Sequence, residues 1–128
     1  MNLLLDTQCF LWFIMGDARL PIRLRSYIED SSNPYRISIA SLWELSIKDS
    51  IGKLRLDMSF QELIHEYVIP SGLTILPVSI DHLLELRKLP HHHRDPFDRI
   101  IIAQSIVENL TVITTDSQFD KYSIQIAR

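Results

Sequence analysis

Apolar positions along this chain fall into two kinds of segment: short unbroken runs, and longer stretches where apolar residues return every three or four positions. Leu3 to Leu5 is the first run, ended by Asp6-Thr7. A run of that length with polar flanks predicts a buried strand. Gln8 to Met15 predicts a helix that closes at Gly16, and Pro21 opens a second helix to about Glu29. Ser31-Ser32-Asn33-Pro34 is a loop, and Tyr35 to Ile39 predicts the second strand. From Ser41 to Ile51 the spacing of Trp43, Ile47 and Ile51 is helical, with Gly52 as the stop. Ser59-Phe60-Gln61-Glu62 has capping-box spacing and starts a helix that ends before Pro70. Leu73 to Val78 predicts the third strand, and Ser79 caps a helix from about Ile80 to Lys88. After a polar loop from Pro90 to Arg94, Asp95-Pro96 supplies N-cap and first position for a helix through Glu108. Asn109 ends that helix in the left-handed conformation, Leu110 to Thr114 predicts the fourth strand, and Ile124 to Ile126 a fifth.

Alternating helices and short, wholly apolar strands predict an α/β fold in which helices cover both faces of a mostly parallel sheet. At 128 residues the expected organisation is one domain over residues 1–128. In such sheets ligands bind beyond the carboxyl ends of the strands. Asp6 lies just past the first strand and Asp116 just past the fourth, so that end of the sheet is where a site is expected.

Composition narrows the picture. Apolar residues make up 46% of the chain, enough for a real core and too many for a disordered segment. The formal charge of −3 argues against nucleic-acid binding by bulk charge alone. A nucleic-acid substrate would need its phosphates neutralised locally, and a divalent cation would do so. Cys9 is the only cysteine, so no intrachain disulfide can form; its apolar neighbours predict core packing. Asp6 interrupts the apolar start and no basic stretch precedes it, unlike a signal peptide. The run from Cys9 to Met15 is far shorter than the roughly 20 residues that span a bilayer. The expectation is a soluble, cytoplasmic protein with no membrane partner.

Each acidic candidate has an ordinary reading beside a functional one. Asp6 suits the cap of the following helix. Glu44 stands four residues before Lys48, a common exposed pairing. Asp98 is the third residue of the helix begun by Asp95-Pro96, where a carboxylate favours the helix dipole. Asp116 follows Thr114-Thr115 in a turn. Taken together, the set would suit a hard divalent cation, which takes oxygen ligands. Without an ion, such a cluster would repel itself and raise its own pKa values. Periodicity does not establish that the four converge.

The motifs carry a resemblance that bears on this. Leu3-Leu4-Leu5-Asp6-Thr7 resembles the opening of PIN domains. Ser41 to Lys48, followed by Ile51-Gly52-Lys53-Leu54, resembles the second acidic motif of one bacterial branch. His93-Arg94-Asp95-Pro96-Phe97-Asp98-Arg99-Ile100-Ile101-Ile102-Ala103-Gln104 is similar to that branch's third motif, and Thr114-Thr115-Asp116-Ser117-Gln118-Phe119 to its fourth. The branch is the VapC-like toxins of type II toxin–antitoxin systems, and the match runs along nearly the whole chain. The resemblance implies a PIN-like three-layer α/β/α sandwich with a central mostly parallel sheet. It also implies Mg²⁺- or Mn²⁺-dependent endoribonuclease activity on RNA, a homodimer, and a cognate antitoxin partner. Carried over by position, the catalytic and metal-holding acids are Asp6, Glu44, Asp98 and Asp116, with Thr7 and Thr114 as supporting hydroxyls and Asp95 behind them. Lys48, Arg94 and Arg99 are candidates for phosphate contacts. Thr115 stands where many relatives carry a basic residue.

Other readings of the same residues are weaker. A phosphatase of the haloacid-dehalogenase type wants a second Asp two positions after the first, where Gln8 stands; a receiver domain wants a Lys in the turn that holds Asp116. A silent PIN-like binding module would be expected to have lost one of the acids. A housekeeping RNA-processing nuclease stays open beside the toxin. His91 to His93 are expected as a solvated loop, and Trp12 and Trp43 as core or interface residues.

Overall fold

Three leucines, Leu3–Leu5, form β1 at the centre of a five-stranded sheet, and none of them is exposed. The structure, a computed structural model, describes residues 1–128. β2 (Tyr35–Ser38) and β4 (Thr111–Ile113) flank β1, and β3 (Thr74–Leu76) and β5 (Gln125–Ile126) form the edges. The order is β3-β2-β1-β4-β5 and every pairing is parallel, with Leu3 opposite both Tyr35 and Thr111. The strand order reverses between β1 and β4, which leaves a crevice beyond their carboxyl ends.

Side chains alternate across the short strands and divide the core in two. Leu3, Leu5, Ile37 and Ile113 pack on α1 (Thr7–Met15), α2 (Ile22–Glu29) and α3 (Ile39–Ser50) through Phe10, Leu24, Ile28, Leu42 and Leu45. Leu4 and Val112 face the other way, onto Ile101, Ile102 and Ala103 of α7 (Pro96–Val107) and onto Phe119. Phe119 belongs to a 3₁₀ turn, Ser117–Lys121, that the sequence reading did not anticipate. α6 (Ile80–Leu86) lies against α7 and is closed at its start by a capping box between Ser79 and His82. Cys9 is buried in the first cluster, as expected, and burial pushes its thiol pKa up. Asp95 caps α7, and Asn109 takes the left-handed conformation, φ 55°, just past its end.

Two expectations change. The helix after Ser59 does not stop before Pro70. α4 (Phe60–Leu63) widens into a π turn at Ile64–Val68 and continues as α5 (Ile69–Ser71). Proline lacks an N–H and its ring collides with the carbonyl four residues back. The wider turn immediately before it, where the Ile69 N–H reaches the Ile64 carbonyl, re-spaces those carbonyls. Second, α3 begins at Ile39 and not Ser41, because Ser38 ends β2 and its Oγ accepts from the Ala40 N–H at 3.0 Å. The apolar stripe of α3 faces outward. Ile39, Trp43, Ile47 and Ile51 are 43%, 62%, 37% and 57% exposed, while Ala40, Ser41, Leu42 and Leu45 carry the buried face. Helical spacing identified the element correctly, but two faces of α3 are apolar and periodicity does not say which one the sheet covers. No helix is long and apolar enough to cross a membrane.

Candidate functional site

Asp6 leaves β1 with extended backbone and becomes the N-cap of α1. Its Oδ1 accepts from the Cys9 N–H at 2.7 Å, and its Oδ2 accepts from the Thr114 hydroxyl at 2.6 Å. The same Thr114 Oγ accepts from the Asp116 N–H at 3.0 Å, so one hydroxyl at the end of β4 ties the first acid to the last. Asp6 is 5% exposed, and burial raises its pKa against the lowering pull of these hydrogen bonds. The capping role and the site position thus coincide in a single side chain. Thr7 supports differently from a hydroxyl aimed at the site: its Oγ donates to Ser41 Oγ at 2.8 Å and fastens α1 to α3.

Glu44 projects from α3 and is held by Lys48 Nζ at 3.2 Å, so the ordinary ion pair exists; Glu44 nevertheless lines the cleft. Asp98 sits in the first turn of α7, yet the capping there is done by Asp95, whose Oδ1 accepts from the N–H groups of Phe97 and Asp98 at 2.9 and 3.1 Å. The Asp98 carboxylate is left free of that duty. Burial first, then the negative charges of Asp95, Asp6, Asp116 and Glu44, push its pKa up to about 7. Asp116 starts the 3₁₀ turn, its Oδ1 accepting from the Gln118 N–H at 2.9 Å.

The crevice at the β1/β4 reversal opens as a cleft of about 560 Å³, and Asp6, Glu44, Asp98 and Asp116 all line it. Asp95, Thr7 and Thr115 line it too. No group of three or more His, Cys, Asp or Glu side chains is so arranged that it could hold an ion as it stands. The acids share a cleft and each other's fields, not a closed cage.

Among the expected phosphate contacts, only Lys48 reaches the cleft. Arg99 is corrected: it is 8% exposed, with Nη1 donating to the Pro90 carbonyl at 2.7 Å and to Tyr122 Oη at 3.0 Å. A guanidinium committed to a carbonyl and a phenol inside the protein has no face to offer a phosphate. Arg94 is exposed on its loop but lies outside the cleft lining. The cations that do line the cleft beside Lys48 are Arg19, Lys53 and Arg55, which sequence reasoning missed. A signal for two of them was present. Lys53-Leu54-Arg55-Leu56 alternates, and Leu54 and Leu56 pack on the core while Lys53 and Arg55 are exposed. Arg19 stands over the Trp12 ring at 5.6 Å and pairs with Asp17 at 2.7 Å. Trp12 is half-buried at the cleft wall, and the Trp43 ring meets Phe97 edge-on at 5.2 Å on the outer surface. His93 is also corrected. It is not solvated like His91 and His92 but tucked against Asp98 and Tyr122.

Solved structures share this arrangement of elements. A chain in the crystal structure of VapBC2 from Rickettsia felis bound to a DNA fragment from their promoter superposes with a TM-score of 0.75 at 20% identity, over 99% of this chain and 98% of that one. DNA-bound VapBC from Salmonella typhimurium gives 0.72 at 18% identity, covering 99% and 97%. FitAcB from Neisseria gonorrhoeae gives 0.71 at 17% identity, covering 98% and 96%. At these identities the likeness is one of fold. No curated protein matches the sequence. The profile of the PIN domain matches residues 3–125, nearly the full length, and the chain belongs to the PIN domain family.

Proposed function

We propose that this chain is a divalent-metal-dependent endoribonuclease that hydrolyses RNA phosphodiester bonds and acts as the toxin of a toxin–antitoxin pair. One observation carries the reading: Asp6, Glu44, Asp98 and Asp116, from four separate stretches of chain, line a single cleft whose other charged residues include Arg19, Lys48, Lys53 and Arg55. Burial first, and then the neighbouring carboxylates, raise the pKa of Asp98, and a cation placed among these acids would offset both effects. The donor set is all hard oxygen, which fits Mg²⁺ or Mn²⁺ and not a soft metal. An open set fits Mg²⁺ in particular, which keeps several waters and takes only one or two carboxylates. When bound, such an ion supplies an activated water and polarises the phosphate.

The chain's own residues divide the remaining work. Thr114 and the Cys9 N–H fix both oxygens of Asp6. Asp95 caps α7 and so leaves the Asp98 carboxylate to the cleft. Lys53 and Arg55 offer positive charge to the phosphates flanking the scissile bond, which a protein of net charge −3 must concentrate locally. The test is cleavage of single-stranded RNA with Mn²⁺, with and without chelator. Cleavage that needs the ion is the expected result; cleavage indifferent to chelator, or none on any RNA, rejects the reading.

The partners follow from the same reading. Klebsiella pneumoniae supplies a toxin-antitoxin complex of like fold, at TM-score 0.67; the partner proposed here is a cognate antitoxin that covers the cleft. For the homodimer, the outward stripe Ile39, Trp43, Ile47 and Ile51 gives α3 an exposed apolar face, with the Trp43 ring braced edge-on by Phe97. Buried aromatic anchors dominate such interfaces. Trp43→Asp is expected to weaken dimerisation by roughly 30-fold or more, about 2 kcal/mol, without disturbing the buried face of α3. Sedimentation of both forms across a dilution series checks this, and an unchanged association constant removes α3 from the interface.

A further inference from the structure

The loop before α7 holds a side chain for which the four acids leave no task. His93 has only 11% of its side chain exposed, and its ring packs edge-on to Tyr122 at 5.5 Å and tilted on Phe119 at 6.5 Å. Its Nδ1 is 2.8 Å from Tyr122 Oη. The same phenol oxygen accepts from Arg99 Nη1 at 3.0 Å, and Arg99 is anchored in turn on the Pro90 and Leu89 carbonyls. A guanidinium only donates, so the Tyr122 oxygen accepts from Arg99, and the phenol's own proton is available to His93 Nδ1. A neutral imidazole that accepts at Nδ1 carries its proton on Nε2. That Nε2 is buried without a formed hydrogen bond, and the carboxylate it faces, at 3.4 Å, is Asp98 Oδ2.

We propose that His93 is the positioning residue for Asp98: the Arg99–Tyr122 relay locks the imidazole in its Nε2–H tautomer, and that N–H engages one carboxylate oxygen so that the other is presented to the cleft. The inference rests on the metal-nuclease reading for its purpose and on the relay for its geometry. The 3.4 Å separation exceeds a formed N–H···O bond by a few tenths of an ångström. Contacts of this kind tighten in the loaded complex. The relay also gives Arg99 a reason to be buried, since it fixes the orientation of the phenol.

Two readouts test it. In metal-free protein, the nitrogen-15 shifts of His93 report its tautomer. Wild type is expected to show the Nε2–H form, and Tyr122→Phe to lose that preference. Mn²⁺ titration by calorimetry gives the second. His93→Ala is expected to bind roughly 10- to 100-fold more weakly, the usual cost of removing the partner of a ligating carboxylate. His93→Gln, whose amide nitrogen reaches near the place of Nε2, is expected to recover part of the loss where a merely space-filling role would favour His93→Leu. Thermal melting shows which variants fold; should His93→Ala fail to, Tyr122→Phe and His93→Gln still report. His93 protonated on Nδ1, or folded His93→Ala binding Mn²⁺ as wild type does, overturns the inference and leaves the nuclease reading standing. Wild type that takes up no Mn²⁺ overturns the nuclease reading and with it the purpose of the positioning role, while the tautomer measurement tests the relay independently of that outcome.

Discussion

Asp98→Asn is expected to lower Mn²⁺-supported RNA cleavage by roughly 10³-fold, about 4 kcal/mol of transition-state stabilisation, while the fold stays intact. The substitution is nearly isosteric and removes only charge. What holds α7 in place is untouched, because the cap is Asp95 and its bonds run to the backbone N–H groups of Phe97 and Asp98. The hydroxyl bridge from Thr114 to Asp6 does not involve Asp98 and survives as well. Asp6→Asn should produce a loss of similar size, with one difference. Both oxygens of Asp6 accept hydrogen bonds, so its amide must turn one acceptor into a donor against Thr114 or the Cys9 N–H. A modest loss of stability should therefore accompany that variant and not Asp98→Asn. Arg94→Ala serves as the control, since Arg94 lies outside the cleft lining and should cleave as wild type does. Folded Asp98→Asn that keeps more than about a tenth of wild-type cleavage would remove this carboxylate from the chemistry.

What the sequence revealed and what it hid have separate physical causes. β1 and β4 are legible because a buried parallel strand must be apolar on both faces, and the few residues that follow each one are then held at the carboxyl edge of the sheet. That is enough to put Asp6 and Asp116 on the same side. Asp95-Pro96 is legible because a cap followed by proline has one sensible backbone geometry. Glu44 and Asp98 lie on helices, and their convergence depends on how α3 and α7 pack, which local spacing does not encode; the resemblance to PIN motifs supplied it. The misreadings share the same root. His93 is expected in a solvated loop and Arg99 at a phosphate, but the Tyr122 hydroxyl and the Pro90 carbonyl hold them inside. Trp43, expected as a core or interface residue, lies with Ile47 on the apolar face of α3 that the sheet leaves outside.

Metal-free protein is expected to lose stability as the pH rises from about 4 to about 8, and Asp98→Asn to abolish most of that loss. An ordinary Asp titrates near 3.9 when unfolded. Burial and the surrounding carboxylates push folded Asp98 up to about 7. A raised acid means the native state holds its proton more tightly than the unfolded chain does. The corresponding stabilisation is fully present below the unfolded pKa and is lost as the pH climbs through the folded one. A difference of about three units is worth about 4 kcal/mol at alkaline pH, a large share of the 5–15 kcal/mol typical of a domain. The side chain is only 19% exposed, so solvent screening should not erase it. Asp6, also raised, pushes in the same direction. For a domain of this size the shift in melting temperature should be roughly 10 °C or more. The variant that has lost cleavage should then melt well above wild type at pH 8 and level with it at pH 4. Added Mn²⁺ should narrow the gap by stabilising wild type and much less the variant. Melting curves that run parallel across this range would show that neither burial nor the neighbouring carboxylates raise the Asp98 pKa in the folded cleft, and the energetic basis for a bound ion would fall.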